Sequence, residues 1–128
     1  MAGYSTTLRN GTLNALTTEA GSGALLKLCD GVRPATGGTI TNVLGTFTCG
    51  TPFAPGAAAG VLSPTLPANT TGTAAGTATW ARLTTSAGVF VADYSLGTTA
   101  AEIIVNTTTI SIGLTLSVTA WSVTAGNA

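Results

Sequence analysis

The stretch that decides the fold is GTATWARLTTSAGVFVADYSLG, residues 76–97. Its first half sets Thr79, Ala81 and Leu83 against Ala78, Trp80 and Arg82, and its second sets Val89, Val91 and Asp93 against Phe90, Ala92 and Tyr94. A period of two is the signature of a strand. The joining TSAG, with Gly88, has the length of a hairpin turn, so the two halves should pair antiparallel. That pairing would set Arg82 and Asp93 across from one another as a cross-strand pair, with Trp80 and Phe90 as packing.

Outward from this hairpin the same period recurs. ALLKLCDG (24–31) puts Leu26 and Leu28 on one face and Leu25 and Lys27 on the other, and the Asp30-Gly31 pair stops it. ITNVLGTFTCG (40–50) follows, with Val43 and Phe47 as inward candidates, and GVLS (60–63) is a short strand. EIIVNTTTISIG carries Ile103, Val105, Ile110 and Ile112, and LTLSVTAWSVTAG alternates Leu114, Leu116, Val118 and Ala120 with Thr115, Ser117, Thr119 and Trp121. Between them lie Pro-, Gly- and Thr-rich loops over 31–42, 50–60 and 64–76. About eight strands, apolar on one face and Thr/Ser on the other, predict an all-β fold: an antiparallel β-sandwich of jelly-roll or Greek-key type.

Ahead of the strands, STTLRNGTLNALTTEAG predicts one short helix, capped by Ser5 and ended by Gly21 and Gly23. Leu8, Leu13 and Leu16 fall roughly on one side. Gly11 and the Thr residues make it weak in isolation, so it needs a surface to dock on. It is either a lid on one end of its own sheet or an arm reaching a neighbouring subunit. The division expected is a helical arm over 1–23 and a β-sandwich domain over 24–128.

Composition bounds the function. Of 128 residues, 6% are charged, four basic and four acidic, so the net charge is zero. Typical soluble domains carry about a quarter. Without a basic stripe, affinity resting on phosphate contacts is not expected, and neither is a nucleic-acid partner. No apolar run reaches the ~18 residues of a membrane span, and MAGYSTTLRNG shows no basic region followed by an apolar one, so neither membrane insertion nor a signal peptide is expected. Thr makes up about a fifth of the chain, so hydroxyls rather than charges must wet the surface. Such a chain has little repulsion to hold copies apart, which suits a protein covered by neighbours or a Thr-rich secreted domain.

Catalytic raw material is scarce. Histidine is absent, which removes the commonest general base and the Ser-His-Asp arrangement. Asp93 and Glu102 could meet after folding, but nothing suggests a carboxylate pair. Neither a P-loop nor a strand-GxGxxG-helix occurs. Cys29 and Cys49 lack metal-ligand spacing, so no metal and no cofactor is expected; two buried free thiols are favoured over a disulfide. Trp80 and Trp121 could form a sugar-stacking platform, but packing is the favoured role for both. No enzymatic activity is expected.

Four segments carry a resemblance: YSTTLRNGTLNAL at the start, ALLKLCDGVRPATGG, AAGTATWARL (74–83), and NTTTISIGLTLSVTAWSVTAGNA at the end. Together they are similar to a family of small proteins encoded by tailed bacteriophages and prophages. Its members begin with a YS-x2-LRN helix, carry a G-T-A-x-W/H-F/A-R strand and end in a Thr/Val-rich strand closing on GNA. This chain has Ala81 where an aromatic often stands, and Trp121 where Phe is usual. The resemblance implies a β-sandwich virion protein, most of all a capsid decoration or cement subunit that bridges major capsid subunits as a homo-oligomer. It would be assembled in the host cytoplasm and reside in the virion. A tail, head–tail connector or head-fibre component is the alternative, and a carbohydrate-binding module a more distant one. The contacts are expected from the helix segment and the loops, namely Tyr4, Leu8, Arg9, Arg33, Phe53 and Leu66.

Overall fold

A computed structural model describes residues 3–40 and 42–125. Helix α1 (Thr6–Ala20) starts at the expected cap, where the Ser5 hydroxyl accepts from the Leu8 N–H at 3.2 Å. Gly21 ends it at φ 70°, and its N–H donates to the Thr17 carbonyl. The buried face is narrower than the leucine spacing suggests. Leu13 and Ala20 are buried and Leu16 half-buried, whereas Leu8 is 53% exposed.

The chain then forms β1 (Leu25–Asp30), β2 (Val43–Thr48), β3 (Val61–Leu62), β4 (Thr70–Thr71), β5 (Gly76–Thr84) and β6 (Phe90–Gly97). After these come β7 (Ile103–Val105), β8 (Thr109–Ile110), β9 (Thr115–Leu116), β10 (Val118–Trp121) and β11 (Val123–Thr124). The number exceeds the expected eight because the C-terminal run is broken into short pieces. The fold is mostly β with one short helix, built on a mixed sheet that curls into a half-barrel.

That sheet has the order β10-β7-β6-β5-β1-β2, with β8 paired to the start of β5, while β3–β11 and β4–β9 form two-stranded ladders. The hairpin is as expected: β5 and β6 pair antiparallel, with Arg82 opposite Asp93 and Trp80 opposite Ser95. The expectation of antiparallel pairing throughout is corrected by β6 and β7, which run parallel with Leu96 beside Ile103. Glu102 explains the geometry. Its carboxylate accepts from the N–H and hydroxyl of Ser95, and its own N–H donates back to the Ser95 hydroxyl. The chain is thereby returned to β6 before β7 starts, and sets off again in the same direction.

The curl is held at its rim by backbone bonds outside the ladders. The Leu44 carbonyl in β2 accepts from Thr73 N–H (2.8 Å) and Ala74 N–H (3.4 Å), which ties the end of β4 to β2. Asn106, just past β7, accepts from Ser117 N–H through its side chain and donates from its own N–H to the Ser117 carbonyl. Inside the curl, Leu26, Leu28, Leu44, Phe47, Leu83, Ile103 and Leu116 have no exposed surface. Burying each such side chain contributes about 1.5–3 kcal/mol. Val43, expected inward with Phe47, is only half-buried, because a register shift at Leu28/Cys29 passes the inward position to Leu44.

The last strand departs most from strict alternation. Between Val118 and Ala120 the register shifts against β7. Ala120 therefore turns outward, and Trp121, 4% exposed, turns into the core with its ring edge-on to Phe53 (5.2 Å) and Tyr94 (5.8 Å).

Candidate interaction surface

Leu8 and Thr12, four residues apart, share one stripe of α1, and Tyr4 lies just before its cap. The Thr12 hydroxyl donates back to the Leu8 carbonyl at 3.1 Å, and the residue is exposed. Tyr4 is 49% exposed and Leu8 53%. With Arg9 and Ala125 they border an open cavity of about 300 Å³.

Two asparagines hold this part of the helix in place. Asn10 Oδ1 accepts from Gly60 N–H at 2.9 Å, and Asn14 Oδ1 accepts from Ala57 N–H at 2.8 Å. These bonds dock the helix on its own chain. Gly60 is needed for this docking. Its φ is +75°, and the Arg9 guanidinium occupies the space a Cβ would take. The Arg9 Nε is buried and meets no hydrogen-bond acceptor.

A second locus lies on the outer face of the sheet. The Arg82 guanidinium donates to both oxygens of Asp93, through Nε at 2.8 Å and Nη2 at 3.1 Å, and through Nη1 to the Gly38 carbonyl at 2.6 Å. It lies 5.2 Å from the Trp80 ring centre and 5.0 Å from that of Phe90. Bonding to Asp93 raises its pKa further above the usual arginine value. The Trp80 indole N–H donates to the Asp30 carbonyl at 3.0 Å, and the Thr79 hydroxyl to the Gly31 carbonyl. These bonds fold the loop after β1 back over β5. An open cavity of about 610 Å³ between that loop and β6 is lined by Arg33, Pro34, Thr36, Phe90 and Asp93 among others.

The expected contact residues therefore separate. Tyr4, Leu8 and Arg9 come together at one cavity and Arg33 borders another. Leu66 is 46% exposed on its loop. Phe53 is 1% exposed and packs on Trp121, so it serves the core of this chain and has no surface to offer a partner. Trp80 and Trp121 are 2% and 4% exposed, and neither indole presents a face for stacking. Asp93 is engaged by Arg82 and Glu102 by Ser95, so the two acids do not form a pair.

Several exposed apolar residues escape the sequence reading. Val32 is 91% exposed, Ile112 75% and Val89 60%. Val32 and Ile112 each lie two residues past a strand end whose partner is in the first three residues of β5, which places them towards the same end of the sheet. Asn10 and Asn14 were legible in one respect: two poor helix formers four residues apart inside a helix signal tertiary hydrogen bonds.

Cys29 and Cys49 are both buried and free, as favoured from sequence. Burial pushes Cys29 up to about 11 and Cys49 to about 12. Burial also raises the Tyr94 phenol. Among the described residues no three His, Cys, Asp or Glu side chains converge to hold a metal ion. No helix among them is long and apolar enough to cross a membrane. Compared with family models, curated proteins and solved structures, the chain finds no match.

Proposed function

We propose that this protein is a structural component of a phage virion, a decoration or cement subunit that binds the outside of the head and bridges major capsid subunits. The observation that carries the reading is a surface poor in charge and dotted with large apolar side chains. Of eight charged residues, two are internal to the Arg82–Asp93 pair, leaving six for the whole exterior. Against these stand Tyr4, Leu8, Val32, Leu66, Val89 and Ile112, each between 46% and 91% exposed. Little repulsion keeps such a surface apart from others, and its apolar points are of the kind interfaces cover.

The resemblance of the YSTTLRN start, the GTATWAR strand and the GNA-ending strand to virion proteins supports the same reading. Within it, the jelly-roll sandwich is what the resemblance implies, and the mostly β chain with its curled mixed sheet is the coarser frame it would refine. Binding would rest on shape and hydrogen bonds, and so respond weakly to salt. Many copies on a lattice make a modest interface per copy sufficient. Self-association into a homo-oligomer belongs to the proposal.

The test is cosedimentation of the purified protein with expanded heads of the phage that encodes it, at low and high salt. Saturable binding that survives about 0.5 M salt, where the Debye length falls to a few ångströms, is expected. Binding to tails alone would move the protein to another part of the particle, and binding to neither would end the proposal.

A further inference from the structure

We propose that the cavity beside the first two turns of α1 receives a peptide segment of a partner protein in which a carboxylate lies next to an apolar side chain. Arg9 takes the carboxylate, while Tyr4 and Leu8 take the apolar group. This deepens the virion reading, since it names the chemistry of the capsid segment that would dock here.

Arg9 is the first observation. Its Nε has lost its water yet has no acceptor. A buried donor left unpaired is costly, so this position is incomplete until an acceptor arrives. Among the described residues no acid supplies one: the ion pair found there is Arg82–Asp93, on the outer face of the sheet. A guanidinium presents its donors as a planar fork, which a carboxylate matches with two parallel bonds. Its position is fixed by the bare backbone of Gly60, so the fork is preorganised.

The cavity walls are the second. At about 300 Å³ the space lies at the low end of ligand pockets, suited to one or two side chains rather than a large metabolite. Half-exposed Tyr4 and Leu8 supply an apolar wall, and Tyr and Arg are the residue types that dominate binding hot spots. An inorganic anion would leave that wall uncovered. An acidic residue beside an aliphatic or aromatic one covers it and pairs the arginine at once.

The test uses a random hexapeptide library displayed on a carrier and selected against the immobilised full chain. Selected sequences are expected to carry Asp or Glu next to a Leu, Ile, Phe or Trp. Replacing that acid by its amide, or testing the chain with Arg9→Gln, should weaken binding about tenfold or more. Arg9→Lys should retain part of it, and Leu8→Ser should weaken it without lowering the melting midpoint. If Arg9→Gln fails to fold, Leu8→Ser and the amide peptide decide. Absence of selected peptides, selection without an acid, or equal binding by Arg9→Gln overturns the proposal. So does a dimer that Arg9→Gln dissolves, because a second copy would then be the occupant. Peptide selection without head binding would leave this site standing and remove the virion reading. Head binding unaffected by Arg9→Gln would do the reverse.

Discussion

Arg82 and Asp93 face each other directly across the β5–β6 ladder and are joined by two hydrogen bonds, with side chains only 8% and 6% exposed. The third arm of the guanidinium reaches the Gly38 carbonyl, so one side chain fastens the hairpin and the loop that crosses it. Removing one partner leaves a buried charge uncompensated. Arg82→Ala or Asp93→Ala should cost about 3–5 kcal/mol in urea unfolding, whereas the joint change Arg82→Met with Asp93→Leu should recover most of that loss. A single-mutant cost under about 1 kcal/mol would mean the pair behaves like an exposed one.

The thiols give a pH signature. In the unfolded chain both ionise near 9.0, whereas in the fold they keep their protons to about 11 and about 12. Unfolding then releases protons above pH 9, so their contribution to stability is complete below that value and is lost as the pH rises towards 12. The expected result is a urea midpoint that falls steadily across this window. In the native protein at pH 8, a disulfide-exchange reagent should label both thiols slowly, and at once in denaturant. A Cys29→Ala, Cys49→Ala chain whose midpoint falls as steeply over the same window would assign the effect elsewhere.

Asn14→Ala should leave the Ala57 N–H without its acceptor and cost about 1–2 kcal/mol, with faster amide exchange across α1 as its local sign. Unchanged exchange would show that Leu13 and Ala20 suffice to dock the helix.

Gly72 is hemmed in by backbone. A Cβ there would collide with the Ser111 carbonyl oxygen and sit 2.8 Å from the Ile110 side chain. Gly72→Ala should therefore destabilise the β4–β9 end by about 1–3 kcal/mol, because a carbonyl, unlike a flexible side chain, cannot swing aside. Gly56→Ala, with nothing within 4 Å of its Cβ, is the neutral control.

The hairpin, the Ser5 cap, the glycine stop and the Arg82–Asp93 pairing were legible because each rests on local period or local chemistry. What strict alternation could not convey were its interruptions. The shift between Val118 and Ala120 sends Trp121 inward, and that between Leu28 and Cys29 puts Leu44 in the place expected of Val43. Both depend on which strand lies alongside, which no single strand encodes. The parallel β6–β7 pair depends on Glu102 reaching Ser95, seven residues back, a contact between two polar residues with no periodic mark. Phe53 sits in a Pro/Gly-flanked loop that reads as surface, and only the tertiary fold sets its ring against Trp121. Of the expected contact residues, Leu8 and Arg9 lie in the first turn of α1 and Tyr4 just before its cap, so nearness in sequence alone brings these three to one cavity.

The most direct measurement is the density of this protein on intact particles of the phage that encodes it, imaged by electron cryomicroscopy. A decoration subunit should appear in many copies on the outer shell at capsomer junctions, with the Tyr4–Arg9 segment, which leads into α1, turned towards the capsid protein. A shell bare of such density, or density confined to the tail, would contradict the account.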